Sequence, residues 1–343
     1  MRDLLALPKV ELHIHLEGSM RVATVRELAE RNGASIPSGL RDGGWRFRGS
    51  IDFIDQYSQL CALLRDLEDF RRLAYEACED LAANNVRYAE AVFSPAAHAT
   101  RLSDWYGPIE AVLDGLRAGQ RDFGPMVRLT PDVVRDNGIE DAERTLEVAL
   151  KHCGDGVVGL NAAGSERTSV ATFADIFRRA RAAGLRSVPH AGEWAGPESV
   201  WQTLEHYQPD RIGHGVAAAE DPKLVQHLAE LQIPLEVCPL SNVATGVFPT
   251  LLDHPFDRLR RAGVVVTLNS DDPSMFGAWL GSVYEAAREA WDYGDDELAA
   301  IARTGVSASF AEDDVKREIF HGIEEWLWSA APDEKLGDAT SKR

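Results

Sequence analysis

The strongest constraint on this 343-residue chain is the repeated alternation of short apolar runs with longer amphipathic stretches. Strand-like runs lie at 10–15, 86–93, 126–130, 157–161, 186–190, 211–213, 235–238 and 264–269. Several are rich in Val, Ile and Leu without clean alternation, the pattern of strands buried on both faces. Helical periodicity occupies 139–152, 170–183, 199–206, 222–231 and 255–262, and Gly184 and Gly263 stand where two of these helices should stop. Eight strands with helices between them predict an α/β fold, the (β/α)8 TIM barrel, with additional C-terminal helices at 282–291, 297–306 and 315–328 packed outside it. An open doubly wound sheet is the competing layout. No Gly-x-Gly-x-x-Gly turn follows the first strand, so its dinucleotide-binding form has no support. The chain reads as one barrel domain over 1–343, with a loop at 33–49 and a disordered polar tail at 332–343.

The formal net charge of −19 argues against nucleic acid or an anionic membrane as a partner. A small neutral or weakly charged ligand meets no such barrier. The four cysteines, Cys61, Cys78, Cys153 and Cys238, form no Cys-x-x-Cys pair, which disfavours a disulfide framework or a thiolate metal site and fits a reducing cytoplasm. No apolar run has the length of a signal peptide or a membrane span, so a cytoplasmic location is expected. Nothing in the sequence sets the oligomeric state.

The polar residues of metal-ligand type fall at the C-terminal ends of the predicted strands, which in a barrel converge on one mouth. The first strand ends in His13-Ile14-His15, and strand alternation turns both imidazoles to the same side. Alone, such a pair is more often structural than ligating. The fifth strand ends in His190-Ala191-Gly192-Glu193, the sixth in Arg211-Ile212-Gly213-His214-Gly215, and the eighth in Ser270-Asp271-Asp272-Pro273. Read singly, Glu193 is an ordinary carboxylate at a helix start, His214 a turn residue and Asp271-Asp272 a capping pair before Pro273. Together they form four chemically matched clusters on strands one, five, six and eight. A nearby cation would relieve the repulsion between the adjacent carboxylates at Asp271. Imidazole and carboxylate ligands suit Zn²⁺, with Fe²⁺, Co²⁺ and Mn²⁺ as alternatives. The fourth strand ends in Gly159-Leu160-Asn161-Ala162-Ala163-Gly164 without the bridging Lys of two-metal barrels, which favours one metal per chain.

From Pro8 to about Phe310 the chain resembles the adenosine deaminase family of the amidohydrolase superfamily. The resemblance rests on Pro8-Lys9-Val10-Glu11-Leu12-His13-Ile14-His15-Leu16-Glu17-Gly18, Gly156-Val157-Val158-Gly159-Leu160 and His190-Ala191-Gly192-Glu193. It continues through Arg211-Ile212-Gly213-His214-Gly215, Cys238-Pro239-Leu240-Ser241-Asn242 and Ser270-Asp271-Asp272-Pro273. It implies that His13, His15, His190 and Asp271 bind zinc, which activates a water to attack C6 of a purine. Glu193 would protonate ring N1, His214 would orient the water and handle its proton, Asp272 would share a proton with N7, and the Gly164 N–H would reach N3. Glu17 occupies the position of a family Asp that contacts the ribose 5′-hydroxyl, and Phe53, Ile54 and Tyr57 occupy the family's hydrophobic lid, although their spacing equally fits ordinary core.

The implied substrate is a purine nucleoside, either adenosine or a 5′-modified adenosine such as 6-amino-6-deoxyfutalosine. Adenine is the alternative, but Ser-Asp-Asp-Pro-Ser-Met-Phe replaces the usual adenine-deaminase Ser-Asp-Asp-Pro-Ala-Tyr-Phe. The cytidine-type zinc deaminases need Pro-Cys-x-x-Cys, whereas here Cys238 precedes Pro239 and no second Cys follows. Cleavage of a cyclic amide and a catalytically silent binding protein are the remaining readings. The first usually needs a second metal, and the second conflicts with competent residues at every candidate position.

Overall fold

The computed structural model describes residues 1–42 and 44–329, so the tail expected at 332–343 lies outside the described residues. The strands are β1 (Lys9–His15), β2 (Val86–Phe93), β3 (Met126–Val134) and β4 (Gly159–Ala163). They continue with β5 in two pieces (Arg186–Ser187 and His190–Ala191), β6 (Ile212–His214), β7 (Leu235–Val237) and β8 (Val266–Leu268). Neighbours pair in parallel from β1 to the first piece of β5, and from its second piece to β8. Pro189 interrupts β5 because it has no N–H to donate. Val188 N–H still reaches the Leu160 carbonyl at 3.0 Å, and Gly213 N–H reaches the Pro189 carbonyl at 2.9 Å, so β5 joins the two arcs.

The last seam closes between β8 and β1. Leu12 N–H donates to Asn269 Oδ1 at 3.0 Å. Asp271 N–H donates to the His13 carbonyl at 2.9 Å, and His15 N–H to the Asp271 carbonyl at 2.7 Å. The result is the expected (β/α)8 barrel. Its strands are buried as the sequence pattern requires: every residue of β2 except Arg87 is enclosed. The outer helices turn one apolar stripe inward; Gly107–Phe123 buries Ile109, Val112, Leu113 and Leu116.

Three expectations need adjusting. The helical content before β3 exceeds the reading, with Val22–Arg31, Ser50–Cys61, Leu67–Ala83, Pro95–Leu102 and Gly107–Phe123 filling the first two connections. The segment read as a loop contains a short antiparallel pair, Leu40–Arg41 with Gly44–Trp45, because Leu40 and Trp45 bury their side chains. The fourth strand runs later than 157–161, since Val157 serves as an isolated bridge to Leu129 and Cys153. The three C-terminal helices are present at Leu280–Trp291, Asp295–Ala308 and Asp313–Trp328, and Trp326 Nε1–H ties the last of them to the Asp3 carbonyl at 2.8 Å.

Beneath the mouth the barrel encloses charge. Arg211 is 1% exposed and sits between two buried carboxylates: Nε donates to Glu236 Oε1 at 2.5 Å, and Nη2 pairs with Glu90 Oε2. Its Nη1 reaches the Ala308 carbonyl at 2.9 Å, while Glu90 accepts the Phe310 N–H at 2.7 Å. Removing the cation would strand two buried charges. Arg211→Ala should therefore lower unfolding stability by roughly 3–5 kcal/mol, measured from urea denaturation. A loss below about 1 kcal/mol would show that the network carries no more than a surface pair.

Candidate active site

His13 and His15 project from the end of β1, His190 from the second piece of β5, and Asp271 from the turn after β8. His15 Nε2 lies 3.2 Å from His190 Nε2 and 3.3 Å from Asp271 Oδ1, and His13 Nε2 lies 3.6 Å from the same oxygen. His13 Nε2 is fully buried and has no hydrogen-bond partner. The other nitrogens are engaged: His13 Nδ1–H donates to Glu236 Oε2 and His190 Nδ1–H to Asn161 Oδ1, both at 2.8 Å. Nε2 is thus the nitrogen left free on His13 and His190, and a ring nitrogen from each of His13, His15 and His190 lies within 4.8 Å of the others. Donors about 2.0–2.1 Å from a zinc-sized ion at tetrahedral angles stand about 3.3 Å apart. The observed spacings fit a small divalent cation held by His13, His15, His190 and Asp271.

The surroundings shift these groups in different directions. Burial holds His15 and His190 below the ordinary histidine range, and the neighbouring imidazoles push His190 further down. His13 moves the other way: burial lowers it, but the Glu236 hydrogen bond and the charge of Asp271 outweigh that effect. Burial opposes ionisation of Asp271, yet His214, His13, His15 and the Ser241 hydroxyl, 2.6 Å from Oδ2, keep its carboxyl below the usual range. Its neighbour Asp272 is driven well above that range by burial and by repulsion from Asp271. Glu193 is raised likewise by burial, then by Asp271 and Glu166. Within one pocket Asp271 is thus shifted toward its charged form, and Glu193 and Asp272 toward the neutral form that can donate a hydrogen bond.

Local backbone geometry aims these groups. His214 and Asp271 both adopt left-handed conformations, with φ of 60° and 66°, unusual for residues with a side chain. Gly213, just before His214, leaves room for the His13 ring, because a Cβ there would come within 2.8 Å of His13 Cε1. His214 Nε2 stands 3.6 Å from Glu193 Oε2 and 3.9 Å from Asp271 Oδ2, and burial brings its pKa down to about 3. The Glu193 turn is clamped from below by Glu166, whose carboxylate accepts the backbone N–H groups of Gly192, Glu193 and Trp194 at 2.5, 2.9 and 2.8 Å.

These residues border a cavity of about 280 Å³. His15, His190, Glu193, His214, Asp271 and Asp272 line its catalytic side, and Gly164 lines its rim. Gly164 has φ of +84° and packs so closely that a Cβ would meet Asp136 Oδ2 at 2.4 Å. Phe53, Ile54 and Tyr57, on the Ser50–Cys61 helix, border the cavity where a lid was expected, and Phe53 also packs on Phe47 and Phe276. His13 lies beneath the floor. Glu17 is fully enclosed and is not among the lining residues; its Oε1 accepts the Ser94 N–H at 3.1 Å and His98 Nε2–H at 3.0 Å.

Sequence reasoning missed Glu236, Ser241, Glu166, Arg135 and Asp132 as contributors to this site. The available signal for Glu236 was a carboxylate inside a strand otherwise buried on both faces, whereas Asp132 lies past the run read at 126–130, in a strand that extends to Val134. In the sequence Asn161 has no role beyond its place in the strand end that lacks a bridging Lys, whereas in the structure its Oδ1 accepts the His190 Nδ1–H.

Comparison with known proteins agrees with this geometry. Residues 8–326 match the family model described as adenosine deaminase. An aminodeoxyfutalosine deaminase of Streptomyces avermitilis is 42% identical over 89% of this chain and 87% of its own length. The solved adenine deaminase of Arthrobacter aurescens superposes with a TM-score of 0.87 at 31% identity, covering 94% of this chain and 99% of that one. An amidohydrolase of Burkholderia ambifaria, solved with bound Zn, gives 0.86 at 27% identity, covering 94% and 92%. With His, Asp and Glu side chains gathered at the mouth of a barrel of this kind, the chain belongs to the adenosine deaminase family and is a deaminase, a hydrolase of C–N bonds.

Proposed function

We propose that this protein is a zinc-dependent deaminase that replaces the 6-amino group of an adenosine-type purine nucleoside with oxygen and releases ammonia. The observation that carries this reading is the placement of Glu193 and Asp272 on the cavity lining beside the His13, His15, His190 and Asp271 cluster. One zinc per chain is proposed, supported by the ligand spacings and by the zinc in the similar amidohydrolase. When bound, the ion supplies the Lewis acidity that makes water nucleophilic at neutral pH.

The chain's own groups do the remaining work. Glu193 donates a proton to ring N1, so electron density leaves C6 and the carbon accepts the incoming oxygen. His214 orients the attacking water and handles its proton. Asp272 donates toward N7 and the Gly164 N–H toward N3, which fixes the ring plane. Burial keeps bulk water from competing for these hydrogen bonds. As the C6–N bond breaks, the amino group departs as ammonia and an inosine-type product remains.

Adenosine and 5′-modified adenosines such as 6-amino-6-deoxyfutalosine are the proposed substrates, the latter supported by the 42% identical relative. Free adenine is the second reading, favoured by the likeness to the Arthrobacter aurescens enzyme. The four unpaired cysteines agree with the proposed cytoplasmic location. No helix among the described residues is long and apolar enough to cross a membrane.

An ammonia-release panel of adenine, adenosine, 2′-deoxyadenosine, 5′-substituted adenosines and aminodeoxyfutalosine tests the reading. At least one nucleoside should exceed adenine in kcat/KM by tenfold or more, roughly the value of one well-made hydrogen bond to a charged group; higher turnover of adenine would select the second reading. Glu193→Gln should keep its metal, measured by mass spectrometry of the native protein, while kcat falls by roughly 10²–10⁴. Near-normal turnover would remove Glu193 from the role of acid. Glu236→Gln should weaken metal affinity roughly 10–100-fold in a chelator competition, and His13→Ala should weaken it further; unchanged metal content in His13→Ala would end its assignment as a ligand.

A further inference from the structure

The cavity has a second polar wall that the deamination chemistry does not use. Asp132, in the same barrel layer as Asn161 by the pairing of β3 with β4, lines the cavity with Ser94 and Tyr57. Asp132 Oδ1 and the Tyr57 hydroxyl are both buried and both lack a hydrogen-bond partner. Unsatisfied buried groups are costly and scarce in folded proteins. With Arg135 Nη1, which also lacks a partner, three such atoms outside the residues assigned to the purine border the cavity and mark a place where a ligand completes the bonding. Burial raises the Asp132 carboxyl to about 7, so its two protonation states lie close together near neutral pH.

Glu17, the position that the family resemblance links to the sugar, is turned elsewhere. Its Oε1 accepts from Ser94 N–H and His98; its Oε2 has no partner, but the fully enclosed residue does not border the cavity. Asp132 is the carboxyl that borders the cavity beside Ser94 and Tyr57. The purine ring already has Glu193, Asp272 and Gly164 for its nitrogen atoms, which leaves the Asp132 wall to the substituent the ring carries. A sugar hydroxyl meets both requirements, donating its proton to Asp132 Oδ1 and accepting one from Tyr57.

We infer that Asp132, with Tyr57, forms a hydroxyl-binding subsite that selects a ribosyl-bearing 6-aminopurine over the free base. This rests on the deaminase reading above and assigns its substrate specificity.

The test uses the full-length metal-loaded protein and measures kcat/KM on adenosine, its 2′-, 3′- and 5′-deoxy analogues and adenine. Asp132→Ala should cut the nucleoside-over-adenine selectivity roughly 10–100-fold. Asp132→Asn, which keeps an acceptor oxygen, should restore part of it. One deoxy analogue should show the same deficit with the native enzyme and lose nothing further in Asp132→Ala. Equal losses on adenosine and adenine, or a deficit shared by none of the deoxy analogues, would overturn the subsite. Tyr57→Phe gives the same readout should Asp132→Ala fail to fold: reduced selectivity supports the subsite and unchanged selectivity opposes it. A native enzyme that deaminates nucleosides, with Asp132→Ala leaving selectivity intact, refutes this inference alone. A native enzyme inactive on every nucleoside refutes the underlying function as well.

Discussion

Two backbone hydrogen bonds, from Asp271 N–H to His13 and from His15 N–H to Asp271, govern the whole mouth of this barrel. They close the last seam between β8 and β1, and in doing so bring a carboxylate between two imidazoles. The left-handed backbone at Asp271 turns the chain so that its side chain joins His13 and His15 while Asp272 turns to the cavity. Closure of the fold and the gathering of His13, His15 and Asp271 are thus one geometric event. A shift of the seam by one residue would point the opposite set of side chains inward.

The electrostatics follow from that placement. Adjacent carboxyls at Asp271 and Asp272 are shifted in opposite directions because only the first faces a ring of imidazoles. Below them, Glu236 links the mouth to the barrel interior. Burial opposes its charge, but Arg211 and His13 hold its carboxyl below the ordinary range. One carboxylate therefore both orients His13 and balances Arg211, which in turn touches the C-terminal segment at Ala308. The Asp295–Ala308 helix outside the barrel is thereby connected to His13 through two side chains.

The fold was legible because buried parallel strands and amphipathic helices leave different periodicities, and eight such units admit few architectures. His13, His15, His190, Glu193, His214, Asp271 and Asp272 were legible as well, since they sit in short segments at strand ends, where a barrel concentrates its chemistry. The supporting groups were not. Glu236 and Arg211 come from different strands, and their value arises only when β6 and β7 set them side by side. Glu166 acts through backbone N–H groups of residues 192–194, which no sequence pattern records. Glu17 shows the converse: its place in a motif suggested a ligand contact, while its surroundings depend on where the Pro95–Leu102 helix puts His98.

The β8–β1 seam also bears on the order in which the chain matures. The residues it joins, Leu12 and Asn269, stand 257 positions apart. The histidine pair near the N-terminus leaves the ribosome early, but it cannot be completed as a metal cluster until nearly the entire barrel has been synthesised and wrapped. Closing so long a loop costs entropy, and contacts of this range form slowly. An ion bound by all four groups would then stabilise only the finished barrel. Metal capture would act as a late latch on folding, rewarding a completed chain and offering an unfinished one only a weak two-histidine grip.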